Sequence, residues 1–385
     1  MVVYYFLAVI ACWIGIKSLL GGFRYAAYVR RETARPLPDF QPFVSVIAPG
    51  RGLEPGLAEN LQALLTQDYA RYEVLFVFDR ADDPAARLVS HGSSRIVIAG
   101  PATDSGQKVH NLRVAVNEID PESEVLVFVD TDGRPAKDWL RKLIAPLADE
   151  TLGAATGYRW FIPERGGIAS RLRGVWNASI ASALGADTTK NFCWGGSTAI
   201  RRSTFEQLNV SDRWRGTVSD DFTITRVLKE ANLPIHFTPN CLVASVGDCG
   251  WRELFEFTTR QVKITRVYAS HLWLPLLLGS ALFVLAFFGG LILICVHPRS
   301  SAAYIFPLII FALGAAKSFI RFRAVSSVLR TTGRDLLAHV LLWPFASLLY
   351  LYNTIVAGFS RRIEWRGITY ELKSRNEAVI ISRDS

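Results

Sequence analysis

Residues 1–22, MVVYYFLAVIACWIGIKSLLGG, are almost wholly apolar, and three further apolar runs, Leu272–Val296, Ala302–Ile320 and Leu336–Phe359, follow Arg266. Each is long enough to span or enter a hydrocarbon core of ~30 Å. Such a chain cannot fold as one soluble globule, so only the stretch between the first run and the last three is left to build a water-facing domain. The first run holds a single charge, Lys17, with no basic segment ahead of it and no small-residue cleavage site behind it. It reads as a transmembrane anchor over 1–22 rather than a removed signal.

Charge placement sets the expected orientation. Arg24, Arg30, Arg31 and Arg35 follow the anchor at once, which by the positive-inside rule puts the next segment in the cytoplasm. Arg321–Arg334 and the trio Arg361, Arg362 and Arg366 call for the same side, yet three full crossings over 272–359 would put the 360–385 tail outside. Pro344 interrupts the last run, so that region is expected to hold two or three apolar helices, the last a broken, re-entrant or interfacial pair. The expectation is a multi-pass integral membrane protein with its catalytic domain in the cytoplasm. Lys plus Arg number 43 against 34 Asp plus Glu, for a net charge of +9. The excess lies beside apolar runs and suits anionic headgroups, not nucleic acid; no obligate protein partner is implied. Cys12, Cys193, Cys241, Cys249 and Cys295 show neither CxxC nor a histidine at metal spacing, and are expected as small buried hydrophobes.

Between Phe43 and Thr265 the pattern changes to short apolar runs, Phe43–Ala48, Tyr72–Phe78, Arg95–Ala99 and Val125–Val129, separated by helix-length stretches at Pro55–Thr66 and Gln107–Glu118. Near-continuous apolar strands with helical crossovers predict an α/β domain with a mixed, mainly parallel sheet covered on both faces, binding its ligand at the carboxyl ends of the strands.

The acidic clusters sit at those ends. Asp79–Pro84 (DRADDP) follows the second strand, Asp130-Thr131-Asp132-Gly133 the fourth, and Ser219-Asp220-Asp221 opens a helical stretch. Asp130 and Asp132, one residue apart, offer hard oxygens that can hold Mn²⁺ or Mg²⁺ and leave coordination positions for a diphosphate; an Asp-rich helix cap would use the same residues. An EF-hand is excluded, because its glycine falls at Pro135 and its bidentate glutamate at Arg141. At the third cluster one vicinal carboxylate could be a general base, or both could serve a helix cap. Lys108 opens a helix after Asp104-Ser105-Gly106; a cation there opposes the helix dipole and suggests a nearby anion such as phosphate, solvent exposure being the alternative.

In order along the chain, IAPGRGLEPGL from Ile47, FDRADDPA from Phe78, FVDTDG from Phe128, CWGGSTAIRR from Cys193, SDDFTITRVL from Ser219 and the tail EWRGITYEL from Glu364 resemble the inverting glycosyltransferases of the family 2 superfamily. The nearest resemblance is to the ceramide glucosyltransferase branch, family 21. It covers nearly the whole chain and implies a GT-A type nucleotide-sugar-binding domain over 43–265. It also implies roles: Asp83 toward the nucleotide base, Lys108 toward the nucleotide-sugar, Asp130 and Asp132 as the DxD pair for metal and diphosphate, Asp221 as catalytic base, and Gly195, Gly196 and Asp220 on the acceptor side. The family's last motif ends in Arg-Trp, whereas Arg260-Gln261-Val262-Lys263-Ile264 stands here. Arg260 and Lys263 keep charge toward the donor, but an ammonium does not replace a bidentate guanidinium, and Ile264 replaces the acceptor-side tryptophan.

The stretch 251–268 that carries this motif is amphipathic and basic, as an interfacial membrane helix is, or one packed on protein. The expected activity is transfer of a hexose, glucose foremost, from a UDP-sugar to a membrane lipid hydroxyl, ceramide favoured. Diacylglycerol, a sterol or hopanoid and a polyprenyl phosphate are alternative acceptors. A processive polysaccharide synthase and a silent nucleotide-binding membrane protein are the alternative functions.

Overall fold

The computed structural model describes residues 2–89, 94–299 and 301–383; Met1 of the first apolar run and Asp384 and Ser385 of the tail lie outside the described residues. The chain divides into two compact units: one of residues 32–162, 183–247 and 361–385, built on sheets, and one of residues 1–31, 163–182 and 248–360, built of helices. Helices are numbered along the whole chain.

The sheet unit holds strands β1 (Val44–Pro49), β2 (Tyr72–Phe78), β3 (Ser94–Ile98), β4 (Val125–Phe128), β5 (Ala154–Ile162), β6 (Thr198–Arg201) and β7 (Ile235–Val246), in the spatial order β3-β2-β1-β4-β6-β5-β7. Pairing is parallel from β3 through β4 and again between β5 and β7; only β6 runs against its neighbours. This is the mixed, mainly parallel GT-A type sheet expected from the sequence. Val44 pairs with both Tyr72 and Val125, so β1, β2 and β4 end level and present Gly50, Asp79 and Asp130 along one edge. Helices α2 (Leu57–Leu65), α3 (Gln107–Val116), α4 (Trp139–Ile144), α6 (Arg202–Gln207), α7 (Val210–Arg213) and α8 (Asp220–Glu230) complete this part. One core joins β1, β2, β4 and α3 to α8 through Leu75, Phe128, Leu112, Trp214 and Leu228. Within it the rings of Phe128, Phe205 and Trp214 meet with centroids 5.3–5.9 Å apart, which fixes the end of β4 against the segment leading into α8.

The tail forms a second, antiparallel sheet of β8 (Arg362–Trp365), β9 (Ile368–Ser374) and β10 (Glu377–Arg383). Its first hairpin turns at Arg366 and Gly367, both at positive φ (54° and 70°), the backbone of a tight turn with left-handed central residues. Tyr370 on β9 is buried, and its hydroxyl oxygen accepts the Gln107 amide at 3.1 Å, capping an unsatisfied N–H in the first turn of α3.

The helical unit comprises α1 (Val2–Thr33), α5 (Ile168–Ala181), α9 (Trp251–Tyr268), α10 (Ser270–Val296), α11 (Ser301–Val325), α12 (Gly333–Leu341) and α13 (Trp343–Phe359). Among the described residues, α1, α10 and α11 are each long and apolar enough to cross a membrane, and α12 and α13 together form a pair bent by 59° at the break before Pro344. Segments 163–182 and 248–265, which no shift in composition separates from the sheet, belong to this unit. Leu254 and Val262 of α9 pack with Leu172, Trp176, Ala346 and Leu349, while Trp251 and Phe255 stay exposed. The five cysteines are free; Cys193 and Cys241 are buried, whereas Cys295 is exposed at the end of α10.

Candidate active site

The loop that follows β4 is held from three directions. Thr131 offers its carbonyl to the Asn60 side-chain amide at 3.1 Å, Asn60 in turn accepts from Arg134 Nε at 3.1 Å, and the Arg134 amide donates to the Ala244 carbonyl at 2.9 Å. Gly133 has no room for a side chain, since a Cβ would lie 2.5 Å from Val243. These constraints aim Asp130 and Asp132 at one place.

Lys108 meets them from the first turn of α3. Its Nζ lies 2.7 Å from Asp130 Oδ1, 3.1 Å from Asp220 Oδ1 and 3.5 Å from the Gly195 carbonyl. The anion implied by a cation at this helix start is therefore a pair of carboxylates from the same chain. Arg159 of β5 closes the other side, with one guanidinium nitrogen 3.2 Å from Asp130 Oδ2 and another 3.3 Å from Asp132 Oδ2. Its guanidinium carbon sits 4.9 Å from the Trp194 ring centroid and 5.5 Å from that of Phe161.

Burial raises the energy of every charge here, and the pairing answers it. Burial alone would push Asp130 up, but Lys108 and Arg159 outweigh it and hold the carboxyl below its ordinary range. Lys108 is held the other way: burial would lower it, and Asp130, Asp220 and Asp221 keep it protonated. Asp220 is 2% exposed; burial first, then repulsion from Asp221 and Asp130, push it up to about 6 despite Lys108.

Asp221 follows on the opening turn of α8. Its Oδ1 accepts from Ser219 Oγ and, at 2.7 Å, from the Phe222 amide, while Oδ2 accepts from the Gly195 amide at 3.4 Å. Gly195 and Gly196 have a steric reason to be glycine. A Cβ on Gly195 would stand 2.3 Å from Asp220 Oδ2 and 2.8 Å from Lys108 Nζ, and one on Gly196 2.2 Å from the Trp194 ring and 2.8 Å from Asp130 Oδ2.

Asp83 lies in the loop beyond β2, 8% exposed. It accepts the Gly52 amide on both oxygens, at 3.1 and 3.0 Å, and the Ala85 amide at 2.8 Å, tying that loop to the one after β1. Arg260, Lys263 and Ile264 lie on α9 in the helical unit: Arg260 sits over the Phe257 ring at 5.8 Å, Lys263 donates to Ser360 Oγ at 3.4 Å, and Ile264 is buried.

Three residues not assigned to the site from sequence belong to this constellation. Arg159 is the lone charge in the apolar run Tyr158–Phe161, which is the signal that could have found it. Glu54, in the loop after β1, is pushed up by burial, and Asp132 and Asp130 push the same way against Arg366. Arg366, at the tip of the tail hairpin, pairs with Glu54 and donates to the Arg51 carbonyl at 3.4 Å. Both residues stand inside motifs recognised in the sequence, but their partnership depends on the tail folding back onto this unit.

Four aspartates against Lys108 and Arg159 leave surplus negative charge, and Asp132 Oδ1 is buried without a hydrogen-bond partner. Among the described residues no three Asp, Glu, His or Cys side chains converge on one metal position. Two aspartates with an unused oxygen suit an ion that takes its remaining ligands from a bound diphosphate. The residues present fit a divalent metal of that kind.

A family model described as Glycosyl transferase family 21 matches residues 3–378. Ceramide glucosyltransferase 3 of Caenorhabditis elegans is 28% identical over 103 residues, which are 24% of this chain and 22% of that protein; the chain thus matches about a fifth of that relative's length. Among solved structures, the mannosyltransferase PcManGT from Pyrobaculum calidifontis in complex with GDP-Man and Mn²⁺ is 19% identical, with 91% of this chain and 98% of that one covered and a TM-score of 0.48. Glucosyl-3-phosphoglycerate synthase from Mycobacterium tuberculosis, in complex with Mn²⁺ and UDP-glucose, is 13% identical, with 63% of this chain and 82% of that one covered and a TM-score of 0.37.

Proposed function

Because the chain belongs to glycosyl transferase family 21, we propose that it moves a hexose, glucose foremost, from a UDP-sugar to the hydroxyl of a membrane lipid at the cytoplasmic face, with inversion at the anomeric carbon. The observation that carries this reading is the constellation of Lys108, Arg159 and four aspartates at the carboxyl ends of the sheet. Three helices of bilayer length in the same chain support an acceptor drawn from the membrane. The stretch shared with a ceramide glucosyltransferase favours a ceramide-type lipid.

The acceptor hydroxyl oxygen forms a bond to the anomeric carbon as the bond from that carbon to the diphosphate oxygen breaks, and the electron pair leaves with UDP. Asp221 takes the hydroxyl proton. Its Oδ2 is the oxygen for that task, since Oδ1 is already engaged by Ser219 and the Phe222 amide. Asp130 and Asp132 would hold Mn²⁺ or Mg²⁺, which supplies positive charge against the departing diphosphate. Arg159 and Lys108 fix the rotamers of the two aspartates before substrate arrives, so little reorganisation is left for the reaction itself. Asp83 holds the loops after β1 and β2 together where the base of the nucleotide would rest.

One observation favours a different lipid acceptor: Lys263 and Ile264 replace Arg-Trp, and Ile264 is buried among its helical neighbours. Diacylglycerol, a sterol or hopanoid and a polyprenyl phosphate are then the candidates. UDP release by the purified full-length protein, with either metal, a panel of UDP-sugars and these lipids beside ceramide, tests both readings, with Asp221→Asn as control. Release that needs ceramide and Asp221 upholds the first. Release with another lipid transfers the assignment, and UDP binding without release by any pairing overturns transfer altogether.

A further inference from the structure

The helical unit holds a partly open cavity of ≈ 230 Å³ walled by α1, α5, α10, α11 and α13. Its polar lining includes Ser18, Ser179, Lys317, Arg321, Trp343 and Tyr350, and no carboxylate is among the lining residues. Lys317 and Arg321 are four residues apart on α11, so their side chains leave the same face of the helix one turn apart. Arg321 is 4% exposed and its Nε has no hydrogen-bond partner; the indole N–H of Trp343 also has none. Lys317 places one ammonium hydrogen on Ser18 Oγ at 2.7 Å. The Tyr350 hydroxyl is committed to the Trp176 carbonyl at 2.9 Å. The cavity therefore presents donors and positive charge, and lacks an acceptor of matching charge.

A cation buried in a helix of bilayer length is costly and marks a functional site by default. The simplest alternative is that both side chains extend outward to the headgroups. Arg323, two residues further on, is exposed. Arg321 is not, since it faces inward and is closed over. The carbonyls at the end of α11 offset part of the charge, but they lie on the helix axis and leave the Nε hydrogen unused.

Depth narrows the ligand. Arg321 stands four residues before the end of α11 and Lys317 eight, about 6 and 12 Å along the axis at 1.5 Å per residue, near the boundary between headgroups and acyl chains. Further along α11 the cavity wall turns apolar, with Ile310 and Leu313 facing Leu282 and Phe283 of α10. Cationic at the interfacial end and greasy at the other, it matches an anionic head with a hydrocarbon tail.

We propose that this cavity binds the phosphate of a lipid, held by Lys317 and Arg321, with an acyl or prenyl chain along the apolar wall. A phosphodiester headgroup and a prenyl monophosphate share that chemistry. The site does not rest on the transfer reaction assigned above.

The test uses the full-length protein in phosphatidylcholine nanodiscs, with lipid retention read by native mass spectrometry and thermal midpoint read in parallel. Phosphatidylglycerol, a polyprenyl monophosphate and inorganic phosphate are added in separate arms. At least one lipid phosphate should be retained tenfold or more over phosphatidylcholine and raise the midpoint, while inorganic phosphate at the same concentration does neither. Lys317→Gln and Arg321→Gln should each abolish the preference, and Arg321→Lys should keep most of it. If Arg321→Gln fails to fold, Lys317→Gln and Arg321→Lys carry the comparison, because both leave the guanidinium position charged. Equal retention of phosphatidylcholine, a preference that survives Lys317→Gln, or an equal response to inorganic phosphate alone would overturn the proposal.

Discussion

Lys108 Nζ stands 2.7 Å from Asp130 Oδ1, a contact between the opening turn of a helix and the end of a strand that gives a buried aspartate its countercharge. The same ammonium reaches Asp220 at 3.1 Å, so one cation serves two carboxylates from distant parts of the chain.

Removing that cation leaves Asp220 buried and unpaired and Asp130 with Arg159 alone, a change that typically costs about 3–5 kcal/mol. Lys108→Met should therefore lower stability by about 3 kcal/mol and abolish transfer. Chemical denaturation in detergent reads the first and UDP release the second. Adding Asp220→Asn to Lys108→Met should restore more than half of the lost stability without restoring activity. Full stability in Lys108→Met would mean that water, not lysine, solvates the pair.

Asp220, pushed up to about 6 by burial and its acidic neighbours, makes stability depend on pH in a definite direction. Between the ordinary carboxyl value near 4 and about 6 the folded protein holds a proton that the unfolded chain has lost. Stability from this group therefore falls as pH rises through that window, and acidification from 7 to 5 relieves the strain of the buried charge. Asp220→Asn should flatten the thermal midpoint over pH 5–7 relative to wild type. Activity should move the opposite way, declining in wild type below pH 6 as Asp220 loses its hold on Lys108. A midpoint profile identical in wild type and Asp220→Asn would remove Asp220 as the titrating group.

The sequence disclosed Asp130 and Asp132 because they end an apolar strand, and Asp221 because it opens a helix; both signals are local. Tyr72–Phe78 was legible for the same reason, a near-continuous apolar run whose last six residues are buried. Arg159 was not, since β5 includes Gly157 and an arginine and owes its place to pairing with β6 and β7, both distant in sequence. The pairing of Glu54 with Arg366 was hidden in the same way, because a hairpin from the end of the chain supplies one half of it. The membership of 163–182 in the helical unit was illegible for a different cause: Leu172, Val175 and Trp176 form an apolar stripe that would pack equally well on a sheet.

Gly195 supplies a steric test of the constellation. A methyl there would stand 2.3 Å from Asp220 Oδ2 and 2.8 Å from Lys108 Nζ, and neither group can retreat without giving up the other. Gly195→Ala should cut transfer at least a hundredfold, while Gly185→Ala, where a Cβ meets nothing within 4 Å, should leave it within twofold. Comparable kcat/KM in the two variants would show that Lys108 and Asp220 have freedom the packing does not suggest.

Arg159 links Asp130 and Asp132 through two separate nitrogens, at 3.2 and 3.3 Å, and so bridges the carboxylates that would share a metal. Its positive charge opposes a divalent ion there, while its two contacts hold the carboxylates in register. Replacement by a neutral side chain separates these effects. Arg159→Gln leaves both aspartates without a countercharge on that side, so the Mn²⁺ concentration giving half-maximal effect should fall severalfold. The same variant should lose tenfold or more in kcat/KM for the nucleotide-sugar, because the aspartates are no longer fixed before the donor arrives. Measuring metal dependence and donor kinetics on one preparation distinguishes the roles. If the metal requirement rises together with the kinetic loss, Arg159 organises the metal site and does not compete for it.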